Sequence, residues 1–181
     1  MIGYNSYTIN TSGYMVQYPN TETITAPSVI KQNATITHTG GIAETKIFSQ
    51  LIPAGTFQAN DILYWYAMLG APSNANSKIF KAYFNDTDDI TSSPVQIGTL
   101  TVTTNSLTVS MDRNLIFKNS LSSQEIIHST TNFGNYLNPS VNAPTALSVD
   151  FTINQYFCIS AALANAADSA YIYGIKSLIS R

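Results

Sequence analysis

The chain has 181 residues, of which only 10% are charged (Asp plus Glu 10, Lys plus Arg 8, net charge −2), against about a quarter in ordinary soluble domains. In place of charge stand 20 Ser, 21 Thr and 17 Asn, so the surface is wetted by hydroxyls and amides. This balance excludes a nucleic-acid binder, which needs a basic footprint against phosphate, and an aromatic content of 11% excludes a disordered chain. The longest unbroken apolar run, Ile62–Leu69, has eight residues, too few for a membrane-spanning helix. The single cysteine, Cys158, excludes an internal disulfide framework and a Cys-based zinc site. The amino terminus shows neither the basic nor the apolar region of a signal peptide.

Residues 1–34 come first, with Tyr, Thr, Asn and Ser interspersed around the breakers Pro19 and Pro27. They read either as an extended arm that packs on another subunit or as an edge strand. Beyond them, residues 35–181 read as one all-β domain. Strands are expected at 14–18, 43–52, 61–69, 78–85, 95–103, 107–117, 124–129, 146–153, 156–163 and 170–179. All are rich in the Ile, Val, Thr, Tyr and Phe that fit a pleated surface. Turn-formers separate them, among them Pro53–Gly55, Pro72–Asn76, Asn85–Asp89 and Asn165–Asp168. Such spacing predicts an antiparallel β-sandwich of the jelly-roll kind. Ser122–Glu125 has the form of a capping box, so 120–127 reads as a helical turn or as a loop entering a strand.

Two strands break the usual in/out alternation. Ile62–Leu69 is apolar or aromatic on both faces, and Tyr156–Leu163 nearly so. A strand apolar on both sides is covered on both sides, either by another copy of the chain or by one of its own loops. Tyr64, Trp65, Tyr66 and Met68 are therefore assigned to the core or a subunit interface.

The sequence offers little chemistry. His38 and His128 sit among Thr and Ser without a paired carboxylate, and no nucleophile elbow, P-loop or His-Glu-x-x-His occurs. Glycoside hydrolysis needs two carboxylates, and the acidic residues Asp86, Asp88 and Asp89 crowd into one turn. That turn is the best calcium candidate, but it lacks the glycine and distal Glu of an EF-hand. Phe133 and Tyr136, in the loop 131–139 with its three asparagines, are the candidates for touching a glycan. No catalytic residue, cofactor or metal is expected.

Several stretches resemble a family. Ala43–Leu63 (AETKIFSQLIPAGTFQANDIL) resembles the stretch that leads into a jelly-roll domain in fibre and other receptor-facing virion proteins of tailed bacteriophages. Ser77–Asn85 (SKIFKAYFN), Asn119–Gln124 (NSLSSQ), Val149–Phe157 (VDFTINQYF) and Ala162–Asp168 (ALANAAD) follow in the same order. The likeness runs from about Thr35 to Ile179. It implies a β-sandwich assembled as a homotrimer and displayed on a virion, with residues 1–34 docking onto a capsid or tail protein. Such proteins are usually long, whereas here the module starts early, which fits a short head fibre, a decoration protein or a small tip. The expectation is thus a non-enzymatic virion protein that contacts host surface glycans. A purely structural assembly protein and a polysaccharide-degrading enzyme are the alternatives.

Overall fold

The computed structural model describes residues 7–9, 15–17, 28–72, 74–102, 108–127 and 145–181, and among these there is no helix. Strands β1 (Tyr7–Ile9) and β2 (Met15–Gln17) pair antiparallel with each other. The chain then continues through β3 (Lys31–Gln32), β4 (Ile36–Thr39), β5 (Thr45–Ile52), β6 (Ile62–Gly70), β7 (Lys78–Asn85) and β8 (Val95–Val102). It ends with β9 (Thr108–Phe117), β10 (Gln124–Ile127), β11 (Thr145–Leu147), β12 (Gln155–Leu163) and β13 (Ser169–Ser180).

Strands β3–β13 make two antiparallel sheets, apart from the β1–β2 pair. The larger has the order β11-β10-β9-β6-β13-β3, with β4 also paired to β13; the smaller has the order β5-β12-β7-β8. Late strands are thus inserted between early ones: β13 lies between β4 and β6, and β12 between β5 and β7. This double wrapping is the order of a jelly roll, as the turn spacing led one to expect. Lys31 and Gln32 pair with β13 in the large sheet, and the residues before them are tied to the same strand: Ile30 is fully buried, and Ser177 Oγ accepts the Val29 and Ile30 amides at 3.0 and 2.7 Å.

The core lies between the sheets and is built by period-two alternation. From β6 it takes Leu63, Trp65, Ala67 and Leu69; from β12, Phe157, Ile159, Ala161 and Leu163; from β7, Phe80, Ala82 and Phe84. Trp65 meets Phe157 of the opposite sheet edge-on, with ring centroids 5.1 Å apart. Phe151 closes one end of the core, with its ring 5.0–5.1 Å from Phe57, Phe84 and Phe117.

One expectation about local structure changes, and one pair of alternatives is decided. The strand foreseen at 146–153 ends at Leu147, because Asp150 captures the backbone amide and hydroxyl of Thr152 and turns the chain. In place of a strand partner, the Gln124 side chain donates to the carbonyl of Val149 and accepts its amide. At 120–127 the loop-to-strand alternative holds, since Gln124–Ile127 forms β10.

Candidate functional site

Strand β6 carries the residues singled out in the sequence, three on its outward side and one on its inward side. Trp65 points into the core and is fully buried; Tyr64 and Tyr66 are half-buried, and Met68 is exposed on the opposite side of the sheet. The assignment to core or interface therefore divides by parity. One covered face of β6 is the sandwich interior, and no described residue covers the other.

Neighbouring strands extend this outer surface in ordered rows. Tyr64 lies between Asn114 and Leu178, Tyr66 between Asp112 and Lys176, and Ile62 between Ile116 and Ser180. Tyr64, Tyr66, Lys176 and Leu178 surround a hollow of about 220 Å³. A second hollow of about 320 Å³ sits beside it, between Met68, Tyr173 and the backbone of β3 and β13. Partial burial raises the pKa of Tyr64, helped by the nearby Asp112, and burial also raises that of Asp112 against the pull of Arg113. The surface is thus a mostly apolar and aromatic field with one acid and one base set across Tyr66.

The sequence did not reveal that β13 contributes to this surface. A bulge between Ile172 and Gly174 inserts Tyr173 and reverses the alternation. Before it the buried residues are Ala170 and Ile172; after it they are Ile175, Ser177 and Ile179. Tyr171 and Tyr173 stack there, with ring centroids 5.8 Å apart and an interplanar angle of 15°.

The other strand read as covered on both faces, β12, is covered by its own chain. Cys158 and Ser160 face away from the core yet are fully buried. Ser49 and the Asp89 carbonyl lie against Cys158, and beside Ser160 lies Glu44, which accepts hydrogen bonds from Ser160 Oγ, Tyr83 Oη and Lys81 Nζ, each at 2.6 Å. Burial raises the Glu44 pKa, but these three donors outweigh it and hold the carboxyl below its usual range. Burial and the same contact push the Tyr83 phenol well above its ordinary value.

Two of the three carboxylates of the acidic turn at 85–89 are engaged by donors of the chain itself. Asp89 Oδ1 accepts the amides of Thr91 and Ser92 at 2.7 and 2.8 Å. Asp88 pairs with Lys46 Nζ at 2.6 Å and accepts the Ser49 hydroxyl. Hydrogen bonds from these donors lower both pKa values. Among the described residues no group of three or more His, Cys, Asp or Glu is placed to hold a metal ion.

A cleft of about 210 Å³ brings two carboxylates from distant segments together, Asp86 and Asp150, above Phe84, Val95 and Val149. The hydrogen bonds from Thr152 hold the Asp150 carboxyl below its usual range. A glycosidase acid needs the reverse, a raised pKa that keeps its proton. Phe133, Tyr136 and His128 lie outside the described residues; His38 sits half-buried on β4 with no carboxylate partner among the described residues.

No protein-family model matches the chain, and no curated protein matches it. Three solved structures of infectious bursal disease virus are similar to it. The Gx strain structure matches at 9% identity and TM-score 0.28, covering 98% of this chain and 47% of that one. The VP2 subviral particle matches at 8% and 0.23, covering 97% and 46%, and the Gt strain at 10% and 0.24, covering 99% and 48%. The chain spans about half the length of the chains it matches. Matches of this depth carry no residue roles or activity over to it.

Proposed function

We propose that the chain is a non-enzymatic structural protein of a bacteriophage virion, a homotrimeric jelly-roll module displayed on the particle as a short fibre, spike or decoration. In this reading the N-terminal segment ahead of Val29 attaches to a capsid or tail protein, since Val29–Gln32 are tied into the large sheet, and exposed loops contact host surface glycans.

The observation that carries the reading is the outer side of the large sheet. Of the seven large hydrophobic side chains exposed among the described residues, four, Ile62, Met68, Tyr173 and Leu178, lie together on one sheet. Contiguous exposed apolar surface marks an interaction site. The jelly-roll order and the phage-like stretch Ala43–Leu63, which builds β5 and the turn into β6, agree with a displayed module. Fixed in an assembly, such a protein has little need of net charge for solubility.

The test is gold-labelled antibody against the chain, applied to purified particles and viewed by electron microscopy. Label at regular positions on intact virions is the expected result; label confined to the soluble lysate fraction overturns it. Incubation with host capsular polysaccharide separates the finer readings. Saturable binding without cleavage supports glycan contact, absence of binding leaves the structural role, and chain shortening supports an enzyme.

A further inference from the structure

The cleft that brings Asp86 and Asp150 together has two walls, one from residues 84–95 and one from residues 148–155. Its floor is apolar, with Phe84 and Val149 buried and Val95 half-buried, while Ile153 stands 46% exposed at its edge. Among the described residues that line it there is no Lys, Arg or His.

Three acceptors in this cleft are left without a donor. Asp86 makes no hydrogen bond or ion pair among the described residues. Asp150 takes the Thr152 amide and hydroxyl on Oδ1, at 3.0 and 2.5 Å, which leaves Oδ2 unused. Gln155 carries the sharper sign, because it is only 4% exposed. Its Nε2 donates to the Asp150 carbonyl at 2.8 Å, and its Oε1, the end turned to the cleft, accepts nothing among the described residues. A nearly buried amide oxygen without a donor is costly, and a donor arriving in the cleft removes that cost.

These groups select a ligand by its chemistry. All three only accept, so the ligand must donate. Two carboxylates with no base beside them attract a cation and repel carboxylated or phosphorylated sugars. The acceptors come from both walls, so the donors must be spread around the ligand's edge, as on a sugar ring, rather than gathered at one point, as on a lysine. The apolar floor suits the C–H face of such a ring. A volume of about 210 Å³ lies below the roughly 300–1,000 Å³ of sites for drug-sized molecules, which limits the occupant to a single ring. We propose that the cleft binds one amino-sugar residue of a host polysaccharide, with its ammonium held by Asp86 and Asp150 and a ring hydroxyl donating to Gln155 Oε1. The proposal rests on the glycan-contact reading above and adds where the contact is made and which charge the sugar carries.

Calorimetric titration of the full chain in mildly acidic buffer of low salt tests it, with a glucosamine trisaccharide compared with the N-acetylglucosamine trisaccharide. The first is expected to bind at a single site, about tenfold tighter or more than the second, since charge-assisted hydrogen bonds are worth that much. Asp86→Asn and Asp150→Asn should each weaken it by about tenfold. Asp86 is exposed and unbonded, so its variant should melt with the parent. Glu125→Gln, which removes the same charge from the distant Lys118 pair, should leave binding unchanged. Equal affinity for the two sugars, or an equal loss in Glu125→Gln, would overturn the proposal by showing attraction to net charge alone. Saturation by calcium alone, lost in the same two variants, would overturn it by making the cleft an ion site. Capsular polysaccharide that binds the Asp86→Asn/Asp150→Asn double variant as it binds the parent would overturn the cleft and keep glycan contact. A parent that binds neither trisaccharide and no polysaccharide would remove both.

Discussion

Adding one methyl group at Gly98 probes how tightly the two sheets meet. A Cβ built there would lie 2.8 Å from Met111 Sδ and 3.7 Å from Trp65 Cη2, whereas comfortable heavy-atom contacts begin near about 3.5 Å. The Met111 sulfur must retreat by most of an ångström, and both Met111 and Trp65 are buried in the core. Overpacking of this kind costs roughly 1–3 kcal/mol, and the alanine returns about 0.5–1 kcal/mol by restricting the unfolded chain. Gly98→Ala is therefore expected to destabilise by about 1–2 kcal/mol, read as a lower midpoint in urea at unchanged slope. Trp65→Ala alone should cost about 3–5 kcal/mol, because it empties a fully buried site. It also opens the space into which Met111 can move. The double variant should then be more stable than the sum of the two losses by about 1 kcal/mol or more. Unfolding followed by far-UV circular dichroism keeps the readout independent of the tryptophan. Losses that add to within about 0.5 kcal/mol would refute the crowding argument, as would a Gly98→Ala protein as stable as the parent.

Three further outcomes follow from the site geometry. Glu44 is held below its usual pKa in the folded chain, so its contribution is full above the ordinary carboxylate range, about 4.3, and is lost as pH falls through the lowered value; Glu44→Gln should be less stable than the parent at neutral pH, with the difference vanishing in acid, as thermal melts at several pH values would show. Lys78 is almost fully buried and paired with Asp168 at 3.4 Å, and bonds from Asn76, Asn74 and Lys78 hold the Asp168 pKa down against its burial; Lys78→Met should lower the melting temperature by stranding that acid, and adding Asp168→Asn should recover part of the loss. A chelator is expected to leave the melting temperature unchanged, because Asp88 and Asp89 are engaged by donors of the chain itself.

The fold class and most strands were legible because burial writes a period of two into Ile, Val and Phe. The strand at 78–85 was read at its true limits, and those at 61–69 and 95–103 within a residue of theirs. The short strands β3 and β4 were not, since four residues of Ile-Thr-His-Thr beside glycines carry too little apolar signal to rise above loop. Double-sided apolarity proved ambiguous for a physical reason. In β12 the second cover is Glu44 and the 85–92 turn, while the outer side of β6 has no cover among the described residues. A sequence registers that a strand wants covering without registering what supplies the cover. The part of the site on β13 was hidden by the Tyr173 bulge, which breaks the phase that a periodicity argument relies on.

The insertion of β13 between β6 and the β3–β4 edge also governs how the chain comes into being. Until residues 169–180 emerge during synthesis, the large sheet is split down its middle, with β6 and β4 presenting unpaired edges to each other and to solvent. Closure depends on contacts spanning nearly the whole chain, such as Ser177 with Val29 and Ile30, and so is slow and exposed to mispairing. Losing those twelve residues would remove the seam that joins both halves of the sheet, so a stop codon there should yield insoluble protein rather than a shortened module.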